Sequence, residues 1–177
     1  MKYCTLIAAA LIAGPAAASE TFPASFMTPD AGVSTQSYSG LVHVTVSGTG
    51  QSLGTIFNDA FYLLPSGVHD ANYYQLTFGS SPLVGFDPTQ NAFNYIVGGL
   101  PAYQASHVYS FMLNTGLVVP GQLHFGVGDG AFGDNSGSFT ITISEAPEPA
   151  SWALMVGGFG AIGGMMRSRR KTIVAFG

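Results

Sequence analysis

The chain has 177 residues, with nine Asp/Glu against five Lys/Arg and a formal net charge of −4 at pH 7. All the basic side chains sit at the two ends: Lys2 at one, and Arg167, Arg169, Arg170 and Lys171 at the other. Residues 19–146 therefore carry Glu20, Asp30, Asp59, Asp70, Asp87, Asp129, Asp134 and Glu145 against no Lys or Arg, a formal charge of −8 with His neutral. That balance excludes nucleic acid as a partner, because nothing is present to neutralise phosphate. It also excludes any Lys/Arg salt bridge as a source of stability.

In chain order, residues 1–18 read as a secretory signal peptide. Lys2 gives the basic start, Leu6 to Ala13 the short apolar centre, and Ala16 and Ala18 the small residues of a cleavage site. Signal peptidase and the export machinery are the partners this implies. Cleavage after Ala18 leaves Ser19 as the new N-terminus. Cys4 is the only cysteine and is lost with the peptide, so the mature chain has no thiol, disulfide or Cys-based metal site.

Residues 19–146 read as one secreted domain, long enough for one core. Ser19 to Pro29 is expected to be an N-terminal arm. Leu41–Val46 alternates with Val42, Val44 and Val46 on one face. Ser138–Ile143 alternates with Phe139, Ile141 and Ile143 inward and hydroxyls outward, the clearest strand in the chain. Further strand candidates are Ile56–Leu64, Tyr73–Phe78, Phe93–Val97, Val108–Leu113 and Leu123–Val127. The expected fold class is all-β: an antiparallel β-sandwich of about seven or eight strands.

Several residues carry possible chemistry. Phe57-Asn58-Asp59-Ala60-Phe61 reads as a strand with Phe57, Asp59 and Phe61 on one face and Asp59 at an edge or accepting backbone hydrogen bonds. The Gly-rich stretch 128–137 lies between two strand candidates. Its Asp129, Asp134 and Asn135 offer hard oxygen ligands suited to calcium, or form a polar hairpin loop by local hydrogen bonding. His43, His69, His107 and His124 have no close metal-ligand spacing. No Gly-x-Ser-x-Gly elbow supports a serine nucleophile, and no catalytic residue is expected. Tyr73, Tyr74, Tyr95, Tyr103 and Tyr109 either stack on sugar rings or pack in the core.

The C-terminal segment, 147–171, begins with Pro147-Glu148-Pro149 and continues through Trp152 and an uncharged Gly-rich run to the basic cluster; a tail, 172–177, follows. An apolar run with Lys/Arg on one flank reads as a transmembrane helix whose basic end stays in the cytoplasm. A helix from Pro149 to Met166 would rise roughly 27 Å, against about 30 Å of hydrocarbon. Trp152 stands where an interfacial aromatic belongs, and Gly160 and Gly164 form a small-xxx-small pair for close helix approach. Arg167, Arg169, Arg170 and Lys171 would stop transfer.

The order Pro-Glu-Pro-Ala-Ser-Trp-Ala-Leu-Met from Pro147 to Met155, then Gly158-Phe159-Gly160, Gly163 and the basic cluster, resembles the PEP-CTERM protein-sorting domain. The resemblance implies a substrate of an exosortase, an integral-membrane transpeptidase-like enzyme of Gram-negative bacteria that make exopolysaccharide, with Pro147, Glu148 and Pro149 as the recognition element. Ser168 interrupts the Arg run that the family usually has unbroken. Phe57-x-Asp59-x-Phe61 is similar to a pattern in one group of those proteins. The segment Gly133 to Phe139 resembles the calcium-dependent galactose-binding bacterial lectins, which implies a calcium ion holding sugar hydroxyls.

These readings give a non-enzymatic protein exported across the inner membrane, held there briefly, and delivered to the cell surface or polysaccharide matrix. The alternatives are a calcium-dependent carbohydrate-binding module and, last, a secreted hydrolase.

Overall fold

The computed structural model describes residues 19–71, 74–146 and 149–168, with side chains for 155–164 in the last stretch. Ala16 and Ala18 of the signal peptide, Tyr73, Pro147 and Glu148 of the sorting motif, the stop residues Arg169, Arg170 and Lys171, and the tail 172–177 lie outside the described residues. For Pro149, Trp152 and Arg167 only the helical backbone is described. The chain divides into a β unit, Ala17–Ala146, and a second unit that contains the C-terminal helix.

Among its described residues the β unit has ten strands, where about seven or eight were expected: β1 Ser19–Ser25, β2 Gly32–Val33, β3 Leu41–Ser47, β4 Gly50–Ser52, β5 Ile56–Asn58, β6 Leu63–Leu64, β7 Leu76–Gly79, β8 Val108–Asn114, β9 His124–Val127 and β10 Ser136–Glu145. They form two antiparallel sheets. One runs β6-β5-β4-β10-β3-β8, with β1 also paired to β10; the other is β2-β9-β7.

The organising strand is β10. Its alternation buries Phe139, Ile141 and Ile143 completely, each contributing about 1.5–3 kcal/mol of transfer free energy. Val42, Val44 and Val46 of β3 are buried with them, as their spacing predicts. On the solvent face, hydroxyls bridge paired positions: Thr21 to Thr142 at 2.9 Å and Thr45 to Ser110 at 2.9 Å. Such cross-strand pairs add a few tenths of a kcal/mol each.

β10 is long enough to pair with β3 over Thr140–Glu145 and with β4 at Ser136–Gly137. The chain bends between β3 and β4 at Gly48, where φ is +111°, and a Cβ there would lie 2.5 Å from the carbonyl of Ser138. At Gly137 (φ +100°) a Cβ would lie 2.7 Å from the backbone of Gly50. Glycine at both crossings lets the backbones close, so the sheet curls through β4, β5 and β6.

Four expectations change. The predicted arm Ser19 to Pro29 contains a strand, β1, paired along Ser138–Ser144; Pro23 is accommodated because β1 pairs with β10 alone and is an edge strand. The single strand Ile56–Leu64 is two short strands separated by a turn at Asp59. Phe93–Val97 is not a strand: Ala92–Tyr95 is a 3₁₀ turn that follows another at Pro88–Gln90, whose cap is Asp87 accepting from Thr89 N at 2.9 Å. The fourth concerns the C-terminal helix α1, Pro149–Ser168, which forms where the sorting segment was expected. Among the described residues, no helix is long and apolar enough to cross a membrane, so the expected transmembrane helix is not shown. Twenty residues reach about 30 Å. Gly157, Gly158, Gly160, Gly163 and Gly164 supply backbone without apolar side chains, and that thins the hydrophobicity.

Gly126 in β9 lies directly beneath the carbonyl of Pro29, so a Cβ there has nowhere to go. Gly126→Ala is expected to destabilise the β unit by about 1–3 kcal/mol through overpacking. Urea unfolding should show a lower midpoint at unchanged slope; an unchanged midpoint would contradict this packing.

Candidate functional site

The turn between β5 and β6 is built on Asp59, a carboxylate with no solvent exposure. Its Oδ1 accepts from Phe61 N at 2.9 Å and Tyr62 N at 2.8 Å. Its Oδ2 accepts from the Tyr109 hydroxyl at 2.7 Å and His107 Nδ1 at 3.0 Å. The first pair closes the turn locally, which is what Asp does at turns. The second pair joins the turn to β8 and to the connection ahead of it, roughly fifty positions along the chain. The sequence reading of Asp59 as an acceptor of backbone hydrogen bonds holds. The reading of Phe57, Asp59 and Phe61 on one face does not: Phe61 is fully buried, whereas Phe57 is 51% exposed.

Around this carboxylate the aromatic side chains interlock. Tyr62 meets Tyr103 edge-on at 5.4 Å, Tyr103 meets His107 at 6.0 Å, and Phe61 meets Tyr109 at 5.0 Å. Tyr62 also donates to the carbonyl of Pro101 at 2.7 Å. Gln104 N donates to the Tyr109 oxygen at 3.4 Å, and His107 N to Gln104 O at 2.9 Å. His107 adopts φ +53°, a conformation that costs a non-glycine residue energy and is held by these bonds. The loop 101–107 is thus tied down at four points. Burial raises the Tyr109 phenol well above its ordinary pKa, and its hydrogen bond to the Asp59 carboxylate raises it further.

The second cluster is the predicted calcium loop. Asp129 and Asn135 come together, both buried. Asp129 Oδ1 accepts from Gly130 N at 2.6 Å and Ala131 N at 3.2 Å. Asn135 Nδ2 donates to Asp129 Oδ2 at 2.9 Å and to the carbonyl of Phe26 at 3.0 Å. Two acceptors on one side fix the amide's orientation, and its Oδ1 is left buried without a partner. Asp134 is exposed on the same loop. Among the described residues, no three His, Cys, Asp or Glu side chains converge as metal ligands.

Two of the remaining histidines are hydrogen-bonded, and His69 makes ring contacts while its Nε2 is buried without a hydrogen-bond partner. His124 Nδ1 bonds the Asp30 carboxylate at 2.8 Å, His43 Nε2 bonds Ser110 Oγ at 3.1 Å, and His69 meets Phe93 edge-on at 5.2 Å. Of the tyrosines, Tyr74 and Tyr109 are buried, and Tyr95 packs on Phe78 at 5.0 Å.

Sequence reasoning singled out Asp59 through a five-residue pattern and considered His107 and Tyr109 separately, but joined neither to it. Their link to it is made by the fold alone, since no local spacing connects residues 59, 107 and 109. No family model, curated protein or solved structure matches the chain.

Folded Tyr109 keeps its proton to higher pH than the unfolded chain does, so its contribution to stability is complete below about pH 10 and lost as pH rises further. The β unit is expected to lose stability above that pH. Tyr109→Phe should be less stable at neutral pH but show a shallower alkaline decline. Equal alkaline slopes in the two proteins would contradict the Tyr109–Asp59 coupling.

Proposed function

We propose that this is an exported, non-enzymatic protein of the cell surface or exopolysaccharide matrix, sorted by an exosortase through its C-terminal segment, with the β unit as a sandwich carrying the structural or adhesive role. The observation that carries the reading is where the β ladder stops. Its last residue is Glu145, and Ala146 alone separates it from Pro147. A folded cargo that ends so close to the expected processing motif suits a precursor trimmed at that end.

Because α1 falls short of a free-standing span, this reading gives it company in the membrane. Its glycines, Gly160 and Gly164 among them, permit close approach of another helix, and the exosortase supplies that helix. The basic residues Arg167, Arg169, Arg170 and Lys171 stay on the cytoplasmic side, since each is costly to move through hydrocarbon. His107 Nδ1 bonds the Asp59 carboxylate at 3.0 Å and so ties the β5–β6 turn to the connection ahead of β8.

Glu148→Ala is expected to leave a larger, membrane-retained form. Mass spectrometry of wild-type cells should find surface material lacking the Met166–Lys171 stretch. Surface protein that always retains it would contradict the sorting reading.

A second reading rests on Asn135. An amide oxygen buried without a partner beside the Asp129 carboxylate is a hard ligand in waiting, and a calcium ion there would relieve the uncompensated charge of the β unit. The ion would then present the loop to sugar hydroxyls. At constant ionic strength, Ca²⁺ is expected to raise the melting temperature with concentration, Mg²⁺ to do less, and Asn135→Ala to remove the calcium-specific part. Superimposable melting curves with calcium and with chelator would leave the loop a turn.

A further inference from the structure

At one end of the larger sheet, three apolar side chains stand in solvent. Val118 is 93% exposed and Val119 76%, in the loop after β8; Leu41, the first residue of β3, is 47% exposed. The loop does not sag outward for want of contacts. Gly40 N donates to Leu117 O at 2.9 Å, and Thr115 N and Oγ1 donate to Gly40 O at 2.9 and 3.0 Å. Leu117 N donates to Thr115 Oγ1 at 3.2 Å, Gly116 N to Asn114 Oδ1 at 3.0 Å, and the Leu117 side chain packs on the core. A closely hydrogen-bonded turn therefore holds two valines out into water, where a loop selected only for solubility would carry polar residues.

The position of this turn gives it meaning. Ser19, Ser144, His43 and Met112 form one row across β1, β10, β3 and β8. One step outward along that row are Glu145, Val42 and Leu113; one further are Leu41 and Asn114. The start of β1, the end of β10 and the turn 115–120 thus lie at the same end of the sheet. Both chain connections to the apolar targeting segments leave from the end that carries the exposed valines.

We propose that this end is a membrane-contact tip: Val118 and Val119, with Leu41 beside them, dip into the lipid interface while the chain is still held at the membrane through its C-terminal segment. The inference rests on the sorting reading, because the tether supplies the local concentration that two valines alone could not. The contact is apolar. Residues 114–122 contain no charged side chain, and the β unit has no cation to attract anionic lipid. Two carboxylates lie near this end: Glu20 is held against the protein by Thr35 N at 2.9 Å and Thr35 Oγ1 at 2.7 Å, and Glu145, exposed one step behind Leu41, stays on the water side of the contact. Once the C-terminal segment is cut, the weak contact lets go, and the tip makes no permanent anchor.

The test uses the full chain in cells. With Cys4→Ser and Glu148→Ala to keep the precursor, a single cysteine at Val118→Cys is labelled from the periplasmic side of spheroplasts with a polarity-sensitive fluorophore. A second chain carries the label at Ser136→Cys, which is exposed at the far end of β10. A membrane-soluble nitroxide is expected to quench the 118 label roughly twofold or more, while aqueous iodide reaches it poorly; the 136 label should behave the opposite way. A precursor found in the membrane fraction with the 118 label open to iodide overturns the tip and leaves the sorting reading standing. A label shielded from both quenchers means a protein covers this end, and also overturns the proposal. A precursor absent from the membrane fraction overturns both the tip and the sorting reading.

Discussion

The β unit depends on a buried carboxylate that has no Lys or Arg to pair with. Between residues 19 and 146 there is no Lys or Arg, so Asp59 cannot be neutralised by an ion pair of the usual kind. A buried carboxylate without compensation costs several kcal/mol. Asp59 instead receives four hydrogen bonds: two from backbone amides in its own turn, one from Tyr109 and one from His107. Because the donors come from two distant stretches, satisfying the charge also joins those stretches. The turn that ends β5, the loop 101–107 and the start of β8 are one assembly around one side chain, with Tyr62, Tyr103 and Phe61 filled in about it.

The other acids follow the same rule where their partners are defined. Glu20 takes the amide and hydroxyl of Thr35 and so fastens the stretch after β2 to the edge strand β1. Asp30 takes His124, Asp87 caps the 3₁₀ turn at Thr89, and Asp129 takes Asn135 and two amides of its own loop. In each case the carboxylate organises a connection and leaves the strands to apolar burial. This is how a domain of one charge sign can remain compact. It also makes the two histidines bound to carboxylates part of the framework.

Strands that alternate over a solvent boundary were legible because burial writes period two into the sequence. Val42, Val44 and Val46, and Phe139, Ile141 and Ile143, needed no further information. The failures have local causes. Pro23 disguised β1, since an edge strand can spare the donor a proline lacks. Aromatic-rich Phe93–Val97 looked extended, yet Asn94 reaching back to Pro88 O at 2.9 Å favours the turn. Ile56–Leu64 looked continuous because an Asp within an apolar run is ambiguous until its partners are known. The candidate site was half visible: Asp59, Asp129 and Asn135 announced themselves by type and setting, while His107 and Tyr109 join Asp59 only through a pairing of strands that no local pattern encodes.

The two proposed roles sit on different parts of this frame. Sorting concerns the ends, where the ladder meets the flanking segments and where Val118 and Val119 stand exposed. Any ligand chemistry concerns the loop of Asp129 and Asn135. Both require a β unit that stays closed outside the cell without disulfides, and the Asp59 assembly is what closes its longest connection. Amide hydrogen exchange of Asp59→Ala against the parent tests that most directly. The account predicts that protection at Tyr62, Gln104 and His107 collapses while β10 stays protected, with about 3–5 kcal/mol lost from the local opening free energy. Unchanged protection across 101–107 would contradict it.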